Sequence, residues 1–174
     1  MIATGSLIVT GIPAAGKTTV ARTLARRSQL AAHLDIDVIY ELILGGLVLR
    51  KDSPEEDFWQ LALAREHIGM LARSFAAHGV LTFVDDVIPD RPVLDLYLAL
   101  LPPPVRLVTL APSTDVVQSR DAARHKQVAA RWMHMAETMR RDLLGVGLWL
   151  DTSNLDVQET VRSIEQRWDE ALVR

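Results

Sequence analysis

The sequence of 174 residues predicts an α/β fold: a parallel sheet of five strands with helices between them. Three observations lead there. Short β-branched and apolar runs alternate with longer segments of helical periodicity, the sequence form of repeated βαβ units. The runs are almost continuously apolar, as in strands covered on both faces. The first run passes straight into a glycine-bearing turn that opens a helix, Gly11-Ile12-Pro13-Ala14-Ala15-Gly16-Lys17-Thr18.

The elements follow in order. Leu7 to Thr10 is the first strand, and Lys17 to about Ser28 a helix with Val20, Ala21, Leu24 and Ala25 on one face. Ala31 to Leu34 is the second strand, ending at Asp35-Ile36-Asp37. Val38 to about Leu44 reads as a buried helix stopped by Gly45-Gly46. Ser53-Pro54-Glu55-Glu56 has the form of a helix start, with a capping serine, a proline at the first position and a capping-box glutamate. That helix runs to about His78, with Gly79 as its stop and a stripe of Leu61, Ala64, Ile68, Leu71 and Phe75. Val80 to Val84 is the third strand, leading into Asp85-Asp86. Asp90 and Pro92 open a helix that the prolines at 102–104 end, and Val105 to Leu110 is the fourth strand. Helices follow from Pro112-Ser113-Thr114 and from Val128 to Leu144, the second with Trp132, Met135, Met139 and Leu143 on one side. Leu148 to Leu150 is the last strand, and a terminal helix follows Asp151-Thr152-Ser153-Asn154.

Composition narrows the function. The length suits a single domain over 1–174, of a size that buries about 70% of its unfolded surface. With 49% hydrophobic residues the chain is not of the disordered class. A net charge of −3 speaks against coating a nucleic acid, which needs a basic face. The absence of cysteine removes disulfides, iron–sulfur clusters, thiolate zinc sites and thiol catalysis. The apolar stretch Leu42 to Leu49 contains two glycines and is far short of the ~20 residues of a membrane span. The start of the chain has no basic n-region. A cytoplasmic protein without nucleic-acid or membrane partners is expected.

Gly11 to Thr18 matches G-x-x-x-x-G-K-[ST] between a strand and a helix, the context that phosphate binding requires. Glycines let backbone N–H groups turn in around phosphates, and the helix N-terminus adds partial positive charge. Lys17 is expected at the β- and γ-phosphates, the Thr18 hydroxyl on Mg²⁺, and Thr19 near the α-phosphate. The pattern is not the dinucleotide fingerprint G-x-G-x-x-G, and no N-K-x-D guanine reader occurs, so ATP is the expected nucleotide.

In an open α/β sheet ligands sit at the carboxyl ends of the strands. Asp35 and Asp37, Asp85 and Asp86, and Asp151 all fall there. Asp35 and Asp37 share a side if the segment is extended. Asp37 is taken for the general base on an acceptor hydroxyl, or for a helix cap, and Asp35 for water-mediated Mg²⁺ or substrate contact. Of the next pair, Asp85 is taken for the metal and Asp86 for the acceptor side. Asp151 is expected to structure its loop. Arg120 and Arg124, four apart, share a helix face from which they can close over the transferring phosphate. Arg65, at the edge of its helix stripe, either snorkels or grips the acceptor. The five histidines show no metal spacing and read as structural or exposed.

GIPAAGKTT, LDIDVIYELI, FVDDVIP, SRDAAR and WLDTSNLDVQETV together resemble small P-loop kinases, most nearly the chloramphenicol phosphotransferase-like group, with shikimate and gluconate kinases as relatives. The resemblance runs from Leu7 to about Ile164. It implies a three-layer α/β/α P-loop NTPase fold with strand order 2-3-1-4-5, a helical lid at about 113–144, and ATP-dependent transfer to the hydroxyl of a small molecule. It places Asp37 as the catalytic aspartate, Arg120 on the adenine and Arg124 on the phosphates. The 151–154 loop, including Ser153, flanks the adenine. The catalytic set implied is Asp37, Lys17 and Arg124. Two rival readings of the same loop stay open: a nucleoside or nucleotide kinase, with Phe58 and Trp59 as local stacking candidates, and an ATP-binding switch or toxin-like effector without a small-molecule acceptor.

Overall fold

A computed structural model of the chain describes residues 5–48, 54–122 and 129–174. Five strands, β1 (Ser6–Thr10), β2 (Ala31–Asp35), β3 (Leu81–Asp85), β4 (Val105–Leu110) and β5 (Leu148–Leu150), form one sheet in the order β2-β3-β1-β4-β5. All four pairings are parallel, so every strand delivers its carboxyl end to the same edge.

Between them run α1 (Lys17–Arg27), α2 (Ile36–Tyr40), α3 (Pro54–Ala77), α4 (Arg91–Leu100), α5 (Thr114–Ala122) and α6 (Ala129–Leu143), with α7 (Val157–Gln166) last. Alternation along each strand splits the core in two. Leu7, Val9, Phe83, Val108 and Leu110 pack with Val20, Ala21 and Leu24 of α1 and Val161 and Ile164 of α7. Ile8, Leu34, Val84 and Leu107 point the other way, against Ala64 and Ile68 of α3, Leu94 and Tyr97 of α4, and Met139 and Leu143 of α6. This is the three-layer α/β/α arrangement, and it accounts for strands that are apolar at nearly every position. No helix among the described residues is long and apolar enough to cross a membrane.

Two elements differ from the sequence expectation. The helix expected over 38–44 is displaced toward the strand and shortened to Ile36–Tyr40. The Asp35 carboxylate accepts the Asp37 N–H at 3.0 Å, so the helix is capped and begun directly at the strand end. It stops at Tyr40, whose hydroxyl donates to the Val48 carbonyl at 2.7 Å, while Gln60 holds Gly46 and Val48 through its amide. Leu42 and Leu44, expected inside, are therefore 67% and 94% exposed. In α3 the apolar stripe bends off Leu71, which is partly exposed, onto Ala72. A Cβ on Gly69 would lie 2.8 Å from the Leu100 Cβ, so α3 and α4 meet at a glycine. The Ser53 cap lies outside the described residues.

Candidate active site

The phosphate loop joins the carboxyl end of β1 to α1. Gly11 has φ +148°, and a Cβ there would lie 2.5 Å from the Leu110 carbonyl oxygen, so the end of β4 leaves no room for a side chain. Ala14 and Gly16 also take positive φ, 68° and 99°. Between them the Ala15 N–H closes a turn on the Ile12 carbonyl at 3.1 Å. Gly16 is the N-cap of α1, and no side chain caps it. The helix thus presents its first N–H groups and its positive dipole end to the loop, the combination that suits a phosphate. Lys17 and Thr18 are the first two residues of α1, and the Lys17 ammonium donates back to the Ile12 carbonyl at 3.4 Å. Thr19 is exposed on the same turn.

Beside this loop, β3 neighbours β1, and Asp85 pairs in register with Val9 on one side and with Asp35 on the other. The two carboxylates therefore stand on adjacent strands on one face of the sheet, the face covered by α1. The Asp35 carboxyl is raised above its ordinary value, first by burial and then by the Asp85 charge, while the Asp37 N–H works against both. Arg22 of α1 approaches Asp35 at 3.9 Å. One oxygen of Asp85 and the His33 Nε2 are buried without hydrogen-bond partners, 3.7 Å apart. A buried, unpartnered carboxylate oxygen beside the strand that leads into the phosphate loop fits a divalent cation.

Asp37 is not in an extended segment with Asp35, contrary to the alternation argument. It sits in the first turn of α2, exposed, and the cap is Asp35 instead. Asp86 differs most from the sequence expectation. It turns to the opposite face, where it is 1% exposed and accepts from Arg65 Nε at 2.8 Å, the Tyr97 hydroxyl at 2.9 Å and the Val87 N–H at 2.7 Å. Arg65 does not snorkel; it is buried and also donates to the Val87 carbonyl at 3.4 Å. Burial pulls its pKa down, but Asp86 more than compensates and leaves it raised. Burial, followed by the Asp86 charge, pushes the Tyr97 phenol well up. Arg65 and Asp86 are thus bound to one another rather than turned toward an acceptor.

Arg120, near the end of α5, spans the phosphate loop and the loop after β5. It reaches the Ala15 carbonyl at 3.4 Å and the Thr152 carbonyl at 3.3 Å. Ser153 accepts from the Ser113 N–H at 2.8 Å and donates to Asp151 at 2.5 Å, so it ties the loop after β4 to the loop after β5. The Ser153 hydroxyl, and then its N–H, hold the Asp151 carboxyl below its ordinary value. Arg124 and the side chains of Phe58 and Trp132 lie outside the described residues; Trp59 is exposed. The sequence reading missed His33 and Tyr97. His33 carried a signal: it stands two residues before Asp35 in a strand and so shares its face.

Comparison with known proteins agrees with this geometry. The AAA domain family matches residues 7–141. An adenylyl-sulfate kinase of Chloroflexus aurantiacus is 34% identical over 116 residues, 64% of this chain; the chain spans 58% of that protein's length. Two solved structures share the fold along nearly the whole chain. A sugar kinase from Janibacter sp. HTCC2649 has a TM-score of 0.71 at 20% identity, covering 97% of this chain and 96% of its own. A shikimate kinase from Bacteroides thetaiotaomicron has a TM-score of 0.71 at 14% identity, covering 96% and 99%.

Proposed function

The chain belongs to the AAA domain family and has the fold of a small P-loop kinase, and from that premise we propose that it is a Mg²⁺-ATP-dependent phosphotransferase acting on a hydroxyl of a small molecule. One observation carries the reading. The phosphate loop after β1 has at its side a buried carboxylate, Asp85, and beyond it a second strand end that presents Asp35 and Asp37. Phosphate cradle, metal ligand and acceptor-side carboxylates therefore lie along one edge of the sheet. The names of the adenylyl-sulfate, sugar and shikimate kinases support a small-molecule acceptor.

In this reading the loop amides, the N-terminus of α1 and Lys17 hold the β- and γ-phosphates. Thr18 and Asp85, with Asp35 behind, would hold Mg²⁺, which supplies neutralising charge on the phosphate oxygens. Asp37 accepts the proton of the acceptor hydroxyl. The acceptor oxygen then bonds to the γ-phosphorus as the bond to the β,γ-bridging oxygen breaks, and ADP leaves. Arg120 clamps the nucleotide side, and Arg124 adds positive charge to the phosphates.

The test is ADP release and transfer of a labelled γ-phosphate, measured with a panel of small alcohols, sugars and nucleosides. Acceptor-dependent release that Lys17→Ala abolishes is the expected result. Tight ATP binding with no acceptor-dependent release across the panel would overturn the proposal in favour of a nucleotide-binding switch.

A further inference from the structure

The histidine beside the carboxylate pair alters what that site can bind. His33 and Asp35 are two apart on β2, and Asp85 is the register partner of Asp35, so all three share one face of the sheet. One donor atom from each lies within 4.8 Å of the other two, and His33 Nε2 and an Asp85 oxygen are 3.7 Å apart. Both of those atoms are buried without a hydrogen-bond partner, and the Asp85 side chain is only 4% exposed. Leaving such groups unpaired is costly, and a common partner removes the cost for both. Ligand bonds of about 2.0–2.2 Å place donors on one ion roughly 3–4 Å apart, which these atoms reach with small adjustments.

We propose that His33, Asp35 and Asp85 form a three-ligand site for a first-row transition metal ion, filled in the absence of nucleotide. The inference rests on the proposed function only in that Asp85 is the metal-side carboxylate. Imidazole is a good ligand for Co²⁺, Ni²⁺ or Zn²⁺, a weaker one for Mn²⁺ and a poor one for Mg²⁺, which prefers oxygen and keeps its waters. His33 therefore biases the site toward the transition series. Arg22, 3.9 Å from Asp35, opposes the cation, but its side chain is half exposed and free to swing into solvent.

The experiment uses the full chain without a tag and without nucleotide. Co²⁺ alone is titrated and followed by its visible absorption, and bound Mn²⁺ is examined by pulsed electron spin resonance for nitrogen coupling. One Co²⁺ per chain and coupling to a single imidazole are expected. His33→Gln should weaken Co²⁺ by at least the roughly 10–100-fold that loss of an outer-shell partner costs, and Arg22→Ala should tighten it. The nitrogen coupling is read on the unmodified chain, so it does not depend on how the variants fold. Absent coupling, or unchanged Co²⁺ affinity in a folded His33→Gln, overturns the site and leaves a simple His33–Asp85 contact. Acceptor-dependent transfer in Mg²⁺ without imidazole coupling would discard this inference and leave the proposed function standing. Imidazole coupling without transfer would do the reverse.

Discussion

Arg65 Nε lies 2.8 Å from an oxygen of Asp86, and the two side chains are 7% and 1% exposed. This pair, with the Tyr97 hydroxyl on the same carboxylate oxygen, fixes the residue that follows Asp85 in the chain. Breaking a buried pair from one side leaves a charge without a partner, which costs about 3–5 kcal/mol. Arg65→Met should therefore lose that much stability in urea denaturation at pH 7. Adding Asp86→Asn should recover part of it, because the neutral amide still accepts the Val87 N–H through its oxygen and can donate to the Tyr97 hydroxyl through its nitrogen. A single variant as stable as the parent would show that the pair contributes little.

The two glycines of the phosphate loop should behave differently. Alanine at Gly11 meets the Leu110 carbonyl at 2.5 Å in addition to an unfavourable φ, whereas alanine at Gly16 meets nothing within 4 Å and has only its φ of +99° against it. Strain of that kind costs about 1–3 kcal/mol. Gly11→Ala should lower the melting temperature clearly more than Gly16→Ala. In the proposed function the open space beside Gly16 takes the phosphates, so Gly16→Ala should weaken ATP binding out of proportion to its effect on stability. Equal melting temperatures for the two variants would contradict the packing argument.

Arg120 links Ala15 and Thr152 by hydrogen bonds of 3.4 and 3.3 Å, long enough to yield to a ligand. Stacking or forked contact of a guanidinium contributes roughly 0.5–2 kcal/mol. Arg120→Ala should therefore raise the ATP Kd about tenfold, with little loss of stability. Arg120→Lys should not restore binding, since an ammonium neither stacks nor forks. Calorimetric titration with ATP checks both; an unchanged Kd would remove Arg120 from the nucleotide site.

What could be read in the sequence divides along local and non-local lines. The strands, the phosphate loop and most helices were legible because each is signalled within its own segment: the loop by spacing, α4 by Asp90 and its proline, the sheet by unbroken apolar runs. The short α2 was misplaced because its boundary is set by an Asp35 side chain bonding to the Asp37 backbone, a choice between two neighbouring carboxylates that spacing leaves open. Arg65 and Asp86 were read as possible acceptor contacts because their pairing spans 21 residues and two elements. The approach of His33 to Asp85 depends on the register of β2 against β3, which no local pattern carries.

Asp151 offers a test by pH. Its carboxyl titrates below the ordinary 3.8 because the Ser153 hydroxyl and N–H favour the charged form. A depressed folded value means stability that is present above 3.8 and lost as pH falls through the folded value. Ser153→Ala removes the larger contribution. Carbon-detected NMR titration should then show Asp151 moving up toward 3.8, with a weaker decline of stability on the acid side. A folded Ser153→Ala with an unmoved Asp151 value would mean that the hydroxyl does not set it.

Asp37 and Asp35 can be separated by asparagine at each position. Asp35 caps α2, and asparagine caps as well as aspartate, so Asp35→Asn should keep the helix while removing a charge that burial and Asp85 disfavour. Its cost should fall on metal affinity. Asp37 is exposed in the first turn of the same helix. A base that takes a proton in the transition state contributes about 10²–10⁴-fold, so Asp37→Asn should lower kcat by that factor and leave the ATP Kd unchanged. Transfer at the parental rate in Asp37→Asn, with an acceptor identified, would take the base role away from Asp37 and leave positioning and phosphate-charge stabilisation as the sources of rate.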